Sequence, residues 1–237
     1  MSDKIKTGIS NLDTILGGGI PQGHCVLLSG SCGTGKTVLS QQFLFNNAYK
    51  QTKGIYFSLT EPKEKMIQNL SGFSFFDRQL VDMGMVSVLD LNTNARLKGV
   101  GLNNPLGLVD VIVRSIEENN AKLIALDSLT ALCQSLQSDD KIREFIFELN
   151  LQMTYLGCTS LLISEIPPFT TQYSVFGVEE FIADGVILLS EIERKGDLIR
   201  ALQVIKMRGT VHSRNKHVLE IMDDGINLVP MFKSQVE

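Results

Sequence analysis

No run in this 237-residue sequence approaches the ~18 consecutive apolar residues that a membrane-crossing helix needs, because charges, Gly or Pro interrupt every candidate. The opening Met1–Gly8 segment has no apolar stretch of the kind a secretory signal carries, which predicts a cytoplasmic protein without a membrane partner. Ligand-forming residues are sparse. Cys25, Cys32, Cys133 and Cys158 form no CxxC pair, and His24, His212 and His217 keep no ligand spacing with them, which argues against structural zinc and a disulfide scaffold. Basic clusters are missing as well: 22 Lys and Arg stand against 26 Asp and Glu, leaving a net charge of −4. That balance lacks the electrostatic footprint of tight nucleic-acid binding, so DNA binding is expected to be weak or absent. There is no long Gly/Ser/Pro linker, low-complexity tract or internal repeat, and one domain over residues 1–237 is the economical expectation.

What is present is an ordinary globular composition, 43% apolar and 20% charged, which excludes a disordered chain. At this length roughly 70–75% of the unfolded chain's surface can be buried, enough for a large core without metal or disulfide support. Short apolar, β-branched runs recur at Val26–Ser29, Ile55–Leu59, Val86–Leu89, Leu123–Leu126, Ser160–Ser164 and Val186–Leu189, each of a length suited to a strand buried on both faces. Between them, Lys36–Lys50, Pro62–Leu70, Leu106–Asn119 and Lys141–Leu156 carry helical periodicity. The alternation predicts an α/β fold with a mainly parallel central sheet flanked by helices. Past Leu189 the pattern changes, and Leu198–Met207, His217–Met222 and Gly225–Val229 are expected to add antiparallel strands.

The clearest chemical signal is Gly30-Ser31-Cys32-Gly33-Thr34-Gly35-Lys36-Thr37, a GxxxxGK[ST] loop between a predicted strand and a predicted helix. Glycines let backbone N–H groups converge on phosphate oxygens, the helix start offers its positive end, Lys36 supplies a point charge, and the Thr37 hydroxyl can ligate Mg²⁺. A P-loop needs an acidic partner for that cation, and Leu123–Leu126 ends in Asp127-Ser128, a Walker B pattern whose carboxylate stands at the C-terminal end of a central strand. Hydrolysis further needs a group to orient water. Glu61 ends the second strand just before Pro62, and it is either that group or a helix-start acid favoured by the macrodipole. Cys32 occupies a variable loop position and contributes no more than backbone contact.

Across Lys6 to about Val229 the chain resembles a single-domain KaiC-like ATPase of the RecA superfamily. The residues that carry the resemblance are Gly8–Asp13 with Gly17–Pro21, the P-loop, Asp127-Ser128, Gly177–Phe181 followed by Asp184, Lys206–Thr210 with His212, and Asp224–Ile226. The resemblance implies a ring, usually a hexamer, that binds ATP and Mg²⁺ between subunits. One subunit supplies the P-loop with Thr37 and Asp127, and the neighbour reaches across with Lys206 and Arg208. It also implies that Arg200 and the Ile221–Asp223 stretch of the neighbour lie near base and ribose. Without the family pattern, Lys206 and Arg208 read more readily as an exposed cationic strand end. Glu165, after Ser160–Ser164, lies near the expected sensor position, and Pro167–Val175 is expected as a pore-facing loop. That loop contains no Lys or Arg, so Phe169 and Tyr173 serve either base stacking or packing.

The sequence departs from the family pattern at the second strand. KaiC proteins commonly carry two adjacent glutamates there, whereas this chain has Thr60-Glu61. Thr60 takes the place of the glutamate usually credited as the water-activating base, which implies slow hydrolysis or dependence on Glu61 alone. The cyanobacterial clock member of this family has two ATPase domains, whereas this sequence shows one and no counterpart of the phosphorylated segment of the second. The leading expectation is an oligomeric, Mg²⁺-dependent ATPase whose nucleotide state drives assembly or signalling through a protein partner that the sequence does not identify. The alternatives are a nucleotide-gated scaffold with little hydrolysis and a recombination accessory ATPase resembling RadA paralogues.

Overall fold

The computed structural model describes residues 3–91, 104–136 and 138–231. In chain order the strands are β1 (Lys4–Ile5), β2 (Ile20–Pro21), β3 (Cys25–Gly30), β4 (Gly54–Ser58), β5 (Val86–Asp90), β6 (Leu123–Asp127), β7 (Thr159–Glu165), β8 (Gly185–Arg194), β9 (Asp197–Met207), β10 (His217–Met222) and β11 (Gly225–Pro230). The helices are α1 (Leu12–Ile15), α2 (Lys36–Ala48), α3 (Lys63–Leu70), α4 (Arg78–Asp82), α5 (Pro105–Asn119), α6 (Leu129–Leu136), α7 (Asp139–Tyr155) and α8 (Glu179–Ile182). None of the helices in the described residues is long and apolar enough to cross a membrane.

Nine strands form one sheet in the order β11-β10-β9-β8-β3-β7-β6-β4-β5. The pairings from β5 through β8 are parallel and those from β8 through β11 antiparallel. This is the expected α/β architecture with its C-terminal antiparallel extension. All six expected parallel strands are present, and β8 runs on to Arg194 to make a long hairpin with β9.

Period-2 alternation sends successive side chains to opposite faces of the sheet, and both faces are covered. Val26, Leu28, Tyr56, Leu123 and Ala125 pack with Leu39, Phe43 and Phe45 of α2. Leu27, Ile55, Phe57, Ile124 and Leu126 face the other way, onto Ile112 and Ile116 of α5, Leu132 of α6 and Phe145 of α7. The three layers follow from these two sets.

Local chemistry sets the helix ends. The Asn104 side chain caps α5 by accepting from Gly107 N at 3.2 Å, Pro105 occupies its first turn, and Asn120 ends it at a φ of 52°. Helix α6 was not expected from the sequence. Its eight residues, LTALCQSL, are apolar on the buried side and too short for periodicity to separate a helix from a strand.

Candidate nucleotide site

The P-loop joins the C-terminal end of β3 to α2, and two of its glycines adopt conformations that other residues rarely take. Gly33 and Gly35 have φ values of 77° and 98°. Gly30 is required for a different reason: a Cβ there would stand 2.7 Å from both the Leu189 carbonyl oxygen and Thr34 Oγ1. Inside the loop, Thr34 Oγ1 donates to the Ser31 carbonyl at 2.8 Å, and Lys36 Nζ donates to the same oxygen at 2.7 Å. Lys36 is only 6% exposed. Burial pushes its ammonium below the usual lysine range, while the charges of Glu165 and then Asp127 act in the opposite direction. A bound phosphate would add to that second effect.

Thr37 and Asp127, the two residues expected to hold Mg²⁺, lie in contact. Asp127, 5% exposed at the end of β6, accepts a hydrogen bond from Thr37 Oγ1 at 2.8 Å through Oδ2. The set is oxygen-only and anionic, which suits a hard cation such as Mg²⁺, and Thr37 keeps its lone pairs by donating its proton to Asp127. The Tyr56 hydroxyl donates to the same Oδ2. Burial, and then the Asp127 charge, hold the Tyr56 phenol well above its usual range, so it keeps its proton and acts as donor. Sequence reasoning did not single out Tyr56. The available signal was a hydroxyl-bearing aromatic in a strand buried on both faces, which must find a partner there.

A cavity of about 310 Å³ opens above this group, lined by Cys32, Gly33, Gly35, Lys36, Thr37, Val38, Glu165 and Ile221. That volume is at the small end of the range for ligand pockets. A larger cavity, about 610 Å³ between α7 and α8, is lined by Phe147, Val178, Phe181 and Ile182 with Asp140, Arg143 and Glu144. It lacks the P-loop's converging backbone amides and is not the phosphate site. Glu165 stands opposite Gly30 in the β3–β7 register and is the carboxylate that reaches the P-loop cavity.

Glu61 is placed differently. Its carboxylate accepts from Asn69 Nδ2 at 2.8 Å and pairs with Lys65 Nζ at 3.5 Å, both through Oε1, while its backbone is bracketed by Ser58 Oγ. These contacts turn it along α3, the arrangement of a helix-start acid, and it does not line the P-loop cavity.

The C-terminal strands bring Arg200 and Ile221, read above as contacts to the base and ribose of a neighbour's nucleotide, against the P-loop of their own chain. Arg200 Nε donates to the Gly33 carbonyl at 2.8 Å, and Ile221 Cδ1 is 3.1 Å from where a Gly35 Cβ would be. The reason is topological: β9 starts, and β10 ends, at the end of the sheet to which β3 delivers the loop. Asp223 is exposed, and its carbonyl accepts from Ser74 N at 2.8 Å.

Lys206 and Arg208 lie at the other end of the sheet. Lys206 pairs with Val186, which is level with Leu27, whereas Gly30 is level with Leu189. Three residues of strand rise put Lys206 about 10 Å below the loop. Arg208 N bonds the Asp184 carbonyl, whose own N bonds Cys25 O, so Arg208 is about 16 Å below. Neither side chain spans that gap to its own P-loop. Lys206 Nζ donates to the Glu180 carbonyl at 2.7 Å, and Arg208 pairs with Asp184 at 3.2 Å. Burial lowers the Lys206 ammonium, with the Arg208 charge adding to the effect.

In the loop after β7, Phe169 is exposed and the Tyr173 carbonyl accepts from Ser29 Oγ. All four cysteines are free thiols; Cys25, Cys133 and Cys158 are buried, and burial pushes Cys25 up to about 12.

The family model described as "ATPase: KaiC" matches residues 5–232. A UPF0273 protein of Methanopyrus kandleri is 35% identical over 96% of this chain and 92% of its own length. The circadian clock oscillator protein KaiC of a Picosynechococcus strain is 34% identical over 96% of this chain but 45% of its own length, so the chain spans about half of that relative. The crystal structure of a KaiC-like protein from Pyrococcus horikoshii superimposes with a TM-score of 0.85 at 31% identity, over 97% of this chain and 100% of that one. With a P-loop, a buried acidic partner and a RecA-type sheet already in hand, these matches establish that the chain belongs to the KaiC ATPase family.

Proposed function

We propose that this chain is a single-domain, Mg²⁺-dependent ATPase of low turnover that assembles into a cytoplasmic ring, expected to be a hexamer, with each nucleotide site shared between neighbours. The observation that carries the reading is the separation of Lys206 and Arg208 from their own P-loop. Lys206, partly buried, and Arg208, exposed, flank the buried Met207 at a strand end about 10 and 16 Å from the loop, out of reach of their own site and open to a second subunit.

In this reading the P-loop amides and Lys36 bind the β- and γ-phosphates, and Arg200 and Ile221 of the same chain border the loop on the side where base and ribose lie. Thr37 and Asp127 hold Mg²⁺. Mg²⁺ held there would supply neutralisation of the charge that develops on the phosphates. The neighbour's Lys206 and Arg208 do the same from the opposite side. Nucleotide state is then coupled to assembly or to signalling through a protein partner, because the γ-phosphate sits at the subunit boundary.

Water activation is assigned to Glu61, once its carboxylate leaves Asn69 and Lys65. A positioned base contributes about 10²- to 10⁴-fold. Glu61→Gln is therefore expected to lower kcat by about 10²-fold with ATP affinity unchanged. If Glu165→Gln has that effect and Glu61→Gln does not, the base resides on β7. The engagement of Glu61 by α3, together with Thr60, favours a second reading, a nucleotide-gated scaffold with little hydrolysis.

Steady-state Mg-ATP hydrolysis, measured per subunit across a wide range of protein concentration, separates the two. A steep rise in specific activity with concentration is the expected result. Activity independent of concentration would overturn the shared site, and binding without detectable turnover would leave the scaffold.

A further inference from the structure

Tyr56 is the fully buried tyrosine of a chain that has no tryptophan; Tyr49, Tyr155 and Tyr173 are 51%, 86% and 37% exposed. Between Ile55 and Phe57 a phenylalanine would pack equally well, and the hydroxyl would cost free energy if it lacked a partner. The strand register explains how it finds one. Tyr56 lies opposite Ala125 on the neighbouring parallel strand, and Asp127 is two residues further along the same face. Ala125 is small enough for the phenol to pass, and a diagonal neighbour is within reach of a long aromatic side chain. Its hydroxyl bonds Asp127 Oδ2, the oxygen that also accepts from Thr37. Thr37 is secured in turn by Ser40, whose Oγ donates to the Thr37 carbonyl at 2.9 Å from a fully buried position on α2.

We propose that Tyr56 is a positioning residue of the metal site, holding Asp127 through Oδ2 so that Oδ1 meets the cation or its coordinated water. Two hydroxyl donors on one carboxylate oxygen fix the rotation of the group, as outer partners of metal ligands commonly do, and removing such a partner typically weakens metal binding by about 10- to 100-fold. The inference rests on the reading of Thr37 and Asp127 as the metal pair.

The test uses full-length protein with ADP and Mn²⁺ as probes. Mn²⁺ affinity is read by electron paramagnetic resonance in the presence of ADP, and ADP affinity is read separately in EDTA. Tyr56→Phe, which keeps the ring, is expected to weaken Mn²⁺ binding about tenfold and to leave metal-free ADP binding unchanged. Unchanged Mn²⁺ affinity, or an equal loss in both measurements, would overturn the proposal, the second because it would mark a general structural defect. Asp127→Asn is run alongside. If Mn²⁺ binding survives that change, the reading of the metal pair falls, independently of Tyr56. Should Tyr56→Phe fail to fold, the wild-type protein still decides. Mg²⁺ drawing charge from Asp127 must alter the Tyr56 hydrogen bond, so a near-ultraviolet tyrosine difference spectrum is expected on metal addition, and its absence would refute the role.

Discussion

Lys36→Ala is expected to abolish nucleotide binding while leaving the fold intact. The ammonium is buried and held in the loop by a bond to the Ser31 carbonyl, and its proton affinity is lowered by that burial. A hydrogen bond to a charged group is worth about 1.5–3 kcal/mol, so each bond from Lys36 to a phosphate oxygen contributes roughly 10- to 100-fold in affinity. Two such bonds from one ammonium would carry the effect of the substitution beyond about 10²-fold. The fold should survive, because the variant removes a buried cation whose bond partner, Ser31 O, is also served by Thr34 Oγ1. Calorimetric titration with ATP and Mg²⁺ reads the weakening directly. Retained binding would sink the P-loop assignment.

The second large effect is expected at the far end of the sheet. Arg208→Ala should reduce turnover by about 10³-fold, the lower range for an arginine that neutralises transition-state charge, and should leave ATP binding to the P-loop nearly unchanged. Its ion pair with Asp184 has the arginine side chain 58% exposed, so it is worth under about 1 kcal/mol and its removal does not endanger folding. The distinguishing experiment mixes Lys36→Ala with Arg208→Ala subunits. Neither variant alone turns over, but an interface built from the intact P-loop of one and the intact Arg208 of the other is complete, and activity should return in proportion to such interfaces. No recovery in verified mixed assemblies would mean that Arg208 does not act across a boundary.

Much of the architecture was legible because it rests on short-range pattern. The buried strands announce themselves as apolar runs, and β3, β4, β6 and β7 coincide with those expected. The P-loop is readable because its glycines, lysine and threonine are contiguous and each is demanded by the same phosphate chemistry. Asp127 is readable as a candidate because a strand-end carboxylate beside a P-loop suits a hard cation.

What the sequence does not carry is register and direction. Arg200 and Gly33 are far apart in the chain and meet because β9 runs antiparallel to β8. The same reversal carries Lys206 and Arg208 away from their own loop. Glu61 and Glu165 look alike in the sequence, each an acid at the end of a strand. The sheet order places β7, but not β4, beside β3, so Glu165 reaches the cavity while Asn69 and Lys65 draw Glu61 along α3. Tyr56 finds Asp127 only once β4 and β6 are aligned with Ala125 between them. The sequence by itself therefore determined the layers and the phosphate loop, products of local periodicity and contiguous chemistry, and offered Thr37 and Asp127 as candidates to hold a cation. The tertiary structure alone decided which cations and carboxylates face which loop, because that depends on strand order and direction, and these are set by long-range pairing.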